Sequence, residues 1–301
     1  MTYAQKIKAT LLSIKLEKAC CKKAFLYGSL LFSNCFEENK IRVLCENKKL
    51  IDTIIELSNQ LIGIDLSPNM CILKSNTDEK YRILCTDKEK CSQILSFFDY
   101  KEPYKTYVIN KDVIECEECF SCFLRGAFLA CGTILSPSRG YHTEFVFSRF
   151  NLSRDMYSFM REASLDIKYS KRANKYLIYC KESESIMDLL NILGAQQASF
   201  DLMNKKIERD IRNNVNRVSN CELANLQKTV SSALIQIDAI NKIINSKGVD
   251  FLPDKLKETA LLRLEFPDIS ISELGKRHPI AITKSCASHR LEKILNLAKE
   301  L

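Results

Sequence analysis

The chain has 301 residues, 46% of them apolar, which is enough to build real cores and gives a prior of about two domains. Fourteen cysteines without a secretory leader point to a reducing compartment and exclude a secreted disulfide framework; Met1-Thr-Tyr-Ala-Gln-Lys-Ile-Lys8 has no apolar h-region, and the longest apolar run, near Ala127 to Leu135, is too short to span a bilayer. A cytoplasmic protein with no membrane partner is expected; the net charge of +8 favours a polyanionic partner but is by itself a weak signal, and nucleoid association is expected only if that partner is DNA.

The first predicted element is a helix of small and apolar residues, Cys20-Cys-Lys-Lys-Ala-Phe-Leu-Tyr-Gly28. Lys40 to Cys45 then reads as a strand, Leu50 to Leu61 as a helix, Met70 to Leu73 and Tyr81 to Cys85 as a strand pair, and Cys91 to Phe98 as a closing helix. The order repeats. Cys122-Phe-Leu-Arg-Gly-Ala-Phe-Leu-Ala130 lines up with the first helix at an offset of 102 residues. Tyr141 to Phe147 alternates like a strand, Arg154 to Ala163 is helical, Leu165 to Tyr169 pairs with Tyr176 to Cys180, and Ser185 to Leu193 closes before Gly194. The economical reading is an α+β domain, 1–199, made of two equivalent halves, about 17–99 and 118–199. Each half leaves an apolar helix in need of a partner, and Gly126, Ala127, Ala130 and Gly132 would let two such helices approach closely.

The block Phe123-Leu-Arg-Gly-Ala-Phe-Leu-Ala-Cys-Gly-Thr-Ile134 resembles a degenerate LAGLIDADG motif, the interface helix of homing endonucleases, whose two-fold α+β halves form a saddle over DNA. The resemblance implies a duplicated (αββαββα)2 domain with an acidic metal ligand just before the final glycine of each motif. Here that position holds Cys131 in the second copy and, at the 102-residue offset, Ser29 in the first, with Gly132 matched by Leu30. Two-metal phosphodiester hydrolysis needs carboxylates for hard divalent cations, so neither nuclease activity nor any catalytic residue is expected. Glu117 and Glu118 are the nearby acids on which such activity would otherwise rest.

Cys116, Cys119 and Cys122 form a C-x2-C-x2-C run, with Cys131 beyond, a spacing able to ligate zinc or an iron–sulfur cluster. Against this, the run enters the interface helix, the first copy offers only Cys20 and Cys21, and cysteine is frequent throughout. No metal and no cofactor is therefore expected, and a metal- or redox-sensing regulator remains the alternative. Nucleophilic Cys–His chemistry would have to use His142, which reads as structural on its strand.

Residues 200–249 read as a helical, Asn-rich connector. Asn213, Asn214, Asn216, Asn220 and Asn225 are poor interior helix formers and good local hydrogen bonders, which suggests a specified polar joint. Arg212 and Arg217, with Arg209, are candidate phosphate contacts, although a structural joint is the favoured reading. Helix follows from Thr229 to Ile244, with Val230, Leu234, Ile237 and Ile244 on one stripe, and ends at Ser246-Lys-Gly248.

The remainder, 250–301, reads as an all-α helix-turn-helix module that begins a helix at Pro253. Ser270 followed by Glu273 forms a capping-box pattern, and Pro279 stops that short helix. A second helix starts near Thr283, with Ala287, Leu291, Ile294, Ala298 and Leu301 on its apolar face. Between Glu273 and Glu292 stand Lys276, Arg277, Lys284 and Arg290, and no acid. This pattern predicts a groove-reading helix: the four cations hold phosphates, Thr283 opens the helix, and Ser285, Ser288 and His289 meet base edges. After Asp201 the only aromatics are Phe251 and Phe266, so double-stranded DNA fits better than a single strand.

The repeat followed by this tail is similar to the WhiA family of bacterial sporulation and cell-division regulators. The likeness rests on Ile211-Arg-Asn-Asn-Val-Asn-Arg-Val-Ser-Asn-Cys-Glu-Leu-Ala-Asn-Leu-Gln-Lys-Thr229, on Leu252-Pro-Asp-Lys-Leu256 and Arg263-Leu-Glu-Phe-Pro267, and on Ser272-Glu-Leu-Gly275, Lys284-Ser285 and His289-Arg-Leu-Glu-Lys293. It departs at Lys276-Arg-His-Pro-Ile280, where the family has a more acidic or apolar turn. The resemblance implies a non-enzymatic DNA-binding regulator of transcription, active in cell division and chromosome segregation. A scaffold with weak, sequence-blind DNA binding, holding a protein partner on the repeat domain, is the other alternative.

Overall fold

The structure, a computed structural model, describes every residue except 75–78 and 101–107. The first of these gaps falls within the range expected for the first copy, and that part of the expectation lies outside the described residues. The chain divides into two compact units, Met1–Glu208 and Arg209–Leu301, each with its own apolar core. Among the described residues no helix is long and apolar enough to cross a membrane.

In the first unit, helix α1 (Tyr3–Ser13) precedes the repeat, closed by a reciprocal cap between Thr2 and Gln5 and anchored by Ile7 and Leu11. Three turns with two buried residues carry too little periodicity to announce a helix from sequence. The first copy then runs α2 (Ala19–Leu31), β1 (Cys35–Glu37), β2 (Lys40–Cys45), α3 (Lys48–Ile62), β3 (Met70–Lys74), β4 (Glu79–Cys85) and α4 (Lys88–Phe97). The second runs α5 (Glu117–Cys131), β5 (Gly132–Ile134), β6 (Thr143–Phe147), α6 (Phe150–Glu162), β7 (Lys168–Arg172), β8 (Lys175–Cys180) and α7 (Ser183–Leu193). This is the duplicated (αββαββα)2 order. Each copy forms a four-stranded antiparallel sheet, β1-β2-β4-β3 and β5-β6-β8-β7.

Strand β7 starts later than expected from sequence. Leu165 and Ile167 are buried in the segment leading to it, so two core residues one apart imitated a strand start. Helices α3 and α7 end as glycine-terminated helices do, with Gly63 and Gly194 left-handed at φ 77° and 88°.

Helices α2 and α5 pack against each other in the middle of the unit, which is why their sequences are apolar on nearly every side. A Cβ on Gly28 would lie 2.2 Å from the Phe123 carbonyl oxygen, and one on Gly126 would lie 2.3 Å from that of Phe25. The contact is reciprocal, since each glycine stands three residues after the phenylalanine that the other touches. The helices therefore correspond at an offset of 98 residues, which pairs Gly28 with Gly126 and Phe25 with Phe123. The offset of 102 expected from sequence is one helical turn out of register, because small and apolar residues recur along both helices at that spacing.

The second surprise is α8, a single unbroken helix from Gln196 to Lys247. It crosses both the boundary expected at residue 199 and the Asn-rich segment that was read as a polar joint. Asn213, Asn214, Asn216, Asn220 and Asn225 all lie inside it with exposed side chains. Their helix penalty is only a fraction of a kcal/mol each, ~0.5 relative to alanine, which cooperative propagation from helix on both sides offsets. Ile207, Ile211, Val215 and Val218 are likewise exposed along it.

In the second unit the end of α8 supplies Ile240 and Ile243 to a core completed by α9 (Asp254–Glu265), α10 (Ile271–Lys276) and α11 (Lys284–Lys299). Leu256 and Ala260 of α9, Leu274 of α10, and Leu291, Ile294 and Ala298 of α11 meet there. Burying each of the larger side chains contributes ~1.5–3 kcal/mol. Leu301, expected on the apolar face of α11, lies beyond its end and is exposed.

Candidate nucleic-acid interface

The turn between α10 and α11 sets how the last helix is presented. Ser270 Oγ accepts from the Glu273 backbone N–H at 3.2 Å and opens α10, as the capping pattern predicts. A Cβ on Gly275 would lie 2.6 Å from the Ile282 carbonyl oxygen, and the Ile282 N–H donates to the Gly275 carbonyl at 3.0 Å, so the returning chain lies directly on the glycine. Upstream, the buried Arg263 donates to the carbonyl of Ile269 at 2.8 Å and reaches those of Phe266 and Pro267 at 3.5 Å, pinning the α9–α10 loop. Burial lowers the pKa of this guanidinium, and the converging carbonyls provide its compensation.

Thr283 is the N-cap of α11, its hydroxyl accepting from the Cys286 N–H at 3.3 Å. The N–H groups of Lys284 and Ser285, at the first two helical positions, have no acceptor within the helix and point outward at its positive end. Lys284, Ser285, Ser288 and His289 are exposed and, at 3.6 residues per turn, share one flank of α11. Lys276 and Arg277 are exposed at the end of α10, and the Arg277 guanidinium sits 4.0 Å over the Phe266 ring. The first turn of α11 carries no acid, and Glu292 stands two turns farther along the same flank.

Two tail residues make their contacts within the unit. Arg290 falls on the opposite flank of α11 and donates to the Lys255 carbonyl at 3.3 Å and to Thr259 Oγ1 at 3.4 Å, with Glu258 3.8 Å away. These contacts tie α11 to α9, and five residues of helix turn Arg290 away from Ser285. His278 is buried, its ring nitrogens 3.4 Å from Thr259 Oγ1 and from the Glu258 carboxylate. In α8, Arg212 and Arg217 are exposed, and Arg217 donates to Asn214 Oδ1 at 3.4 Å.

The endonuclease-like motif can be read residue by residue once the 98-residue register is known. Cys131 keeps the position before the final glycine, but its counterpart in the first copy is Ser33, not Ser29. Ser29 is fully buried higher on α2 and donates to the Phe25 carbonyl at 2.9 Å. Ser33 and Cys131 line one cavity of about 180 Å³ together with Asn34, Ser148, Arg149 and Lys175, and none of its lining residues is an acid. The Ser33 hydroxyl donates to the Leu30 carbonyl at 2.6 Å. Burial pushes the Cys131 thiol up to about 12, only partly opposed by the Lys8 ammonium of α1. Ser33 and Cys131 offer a divalent metal no carboxylate, and the cations that line the cavity are Lys175 and Arg149, the latter paired with Glu37 at 3.2 Å. Glu117 and Glu118, taken as nearby acids, lie at the other end of α5, ~20 Å away at 1.5 Å per residue.

At that other end Cys116 and Cys119 meet Cys20 and Cys21 of the first copy, and Cys122, buried one turn farther along α5, makes a hydrogen bond with Cys21. His142 is held 3.1 Å from Glu144 on β6, a strand-surface pair.

Two protein-family models match the chain: the one described as the WhiA LAGLIDADG-like domain over residues 120–212, and the one described as the WhiA C-terminal HTH domain over residues 215–298. A relative from Clostridium botulinum (strain Hall), named "Probable cell division protein WhiA", is 38% identical over 282 residues, covering 91% of this chain and 88% of its own. One of the same name from Ruminiclostridium cellulolyticum is 33% identical over 309 residues, covering 100% and 98%. Among solved structures, full-length WhiA from Thermotoga maritima has a similar fold, with a TM-score of 0.57 at 22% identity over 100% of this chain and 99% of that one.

Proposed function

This chain belongs to the WhiA family, and from that premise we propose that it is a non-enzymatic protein that binds double-stranded DNA through α11 and controls transcription in the service of cell division and chromosome segregation. The observation that carries the reading is the acid-free opening of α11, with Lys284, Ser285, Ser288 and His289 exposed on one flank and Lys276 and Arg277 beside it. A helix N-terminus attracts phosphate, the cations add attraction without sequence information, and the hydroxyls and imidazole reach base edges in the major groove. Arg290 keeps the helix in place and makes no contact with DNA. The names of the relatives support the cell-division setting.

The repeat unit contributes no cutting, since Ser33 and Cys131 stand where carboxylates would hold metal. It offers a large second surface for DNA or for a protein partner, which a single reading helix needs in order to gain specificity. Footprinting of the full-length protein at several salt concentrations tests the reading. Discrete protected sites that disappear in a Ser285→Ala/His289→Ala variant are expected. A steep salt dependence without any preferred site would remove the regulatory part of the proposal, and magnesium-dependent cleavage of duplex DNA would remove the non-enzymatic part.

A further inference from the structure

The N-terminal ends of the two interface helices bring four thiols into one cluster. Cys20 and Cys21 lie in the first turn of α2, Cys116 is the N-cap of α5, and Cys119 is in its first turn. All four sulfurs lie within 4.8 Å of one another, and all four cysteines are free thiols. Cys116 Sγ is 3.7 Å from Cys20 Sγ, 3.7 Å from Cys21 Sγ and 3.4 Å from Cys119 Sγ. Four thiolates around a tetrahedral ion at ~2.3 Å sit ~3.8 Å from one another, close to these separations. A disulfide would need one pair at ~2.05 Å and would leave the other two sulfurs without a role. A four-iron cluster would hold its cysteines farther apart than a single ion does.

From this geometry we infer that Cys20, Cys21, Cys116 and Cys119 bind one zinc ion as a closed, structural tetrathiolate site that fastens the two copies of the repeat together. Binding replaces the four S–H protons, which leave to solvent, so the site carries two net negative charges. The N-termini of helices of 13 and 15 residues converge on it and offset part of that charge. The Lys18 ammonium lies beside it, paired at 3.1 Å with Glu118, whose carboxylate accepts from Cys21 Sγ at 3.8 Å and turns wholly to Lys18 once that proton leaves. Cys21 and Cys119 are buried, whereas Cys20 and Cys116 are half-buried and leave a path for the metal. Four protein ligands leave no open position for substrate, which makes the site structural. The ion would close a loop of 95 residues between Cys21 and Cys116, a long-range clip of the kind that restricts the unfolded chain most. The inference stands apart from the DNA-binding reading and does not need it.

The test uses the full-length protein, purified under reducing conditions without chelators. Elemental analysis is expected to find one zinc per chain, retained in Cys221→Ser, whose cysteine is exposed on α8, and lost in Cys20→Ser and Cys116→Ser. Cobalt(II) added to chelator-treated wild-type protein is expected to give thiolate charge-transfer and tetrahedral ligand-field absorption at one equivalent, displaced by zinc, and this reading does not depend on any variant folding. Wild-type protein with no zinc near stoichiometry and no cobalt–thiolate band would overturn the inference. So would stoichiometric iron, or zinc retained in Cys116→Ser.

Discussion

The α2–α5 pair and the α10–α11 pair use the same device, a glycine that lets another backbone touch it, to opposite ends. In α2 and α5 the device is reciprocal: Gly28 meets Phe123 and Gly126 meets Phe25, and both helices disappear into the core. In α10 it is one-sided: Gly275 meets only the returning chain at Ile282, and the outer flank of α11 stays in water. Close approach therefore seals a duplicated scaffold in one unit and aims a helix outward in the other. The difference teaches where function sits, because a buried pair can only hold shape, whereas an aimed helix can meet a ligand.

The largest effect should come from breaking the reciprocal contact. Gly126→Ala places a methyl 2.3 Å from a carbonyl oxygen and 2.9 Å from the Ser29 backbone nitrogen, neither of which can move without shifting α2. Alanine would otherwise favour a helix by ~1 kcal/mol, so a net loss of ~3 kcal/mol in denaturant unfolding isolates the contact. Unchanged stability would mean that the two helices are not packed at this register. In the tail, Gly275→Ala meets one carbonyl at 2.6 Å, and the loop has more room to give. A loss of ~1–3 kcal/mol is expected there, accompanied by weaker DNA binding as α11 tilts.

The comparison sharpens further at the surface of α11. Lys276→Ala/Lys284→Ala should weaken binding to all DNA sequences alike and lower the slope of log affinity against log salt by ~2, about one per phosphate contact. Arg290→Ala should instead leave that slope unchanged and lower thermal stability, by ~1–2 kcal/mol, because its hydrogen bonds go to Lys255 and Thr259. If Arg290→Ala flattened the salt dependence and left stability alone, the assignment of inner and outer flanks would be wrong.

What could be read from sequence follows from where periodicity is strong. The order of helices and strands, the cap at Ser270, the start of α11 near Thr283 and the exposed flank of α11 were legible because local rules set them. The register of α2 against α5 was not. Cys20 and Cys122 share a sequence pattern, but the backbone contacts pair Cys21 with Cys119, and a one-turn slip in an all-apolar helix leaves the hydropathy unchanged. That slip placed Ser29 where Ser33 belongs. The side Arg290 faces was hidden for a related reason: counting charges along α11 ignores which side of the helix each one occupies, and Arg290 reaches Lys255 and Thr259.

The smallest expected effect concerns Arg212 and Arg217, and a null result there is informative. Both lie on the exposed middle of α8, and Arg217 already donates to Asn214 within its own helix. Arginine is a good helix former and alanine a better one, so Arg212→Ala/Arg217→Ala should leave helicity and stability within ~0.5 kcal/mol of the parent. If α8 is only a structural connector, DNA affinity and its salt slope also stay as they were, measured on the full-length protein against the Lys276→Ala/Lys284→Ala variant in the same titration. A slope that fell by ~2 would instead give α8 a phosphate-contacting role, and DNA would then be held by the connector as well as by the aimed helix.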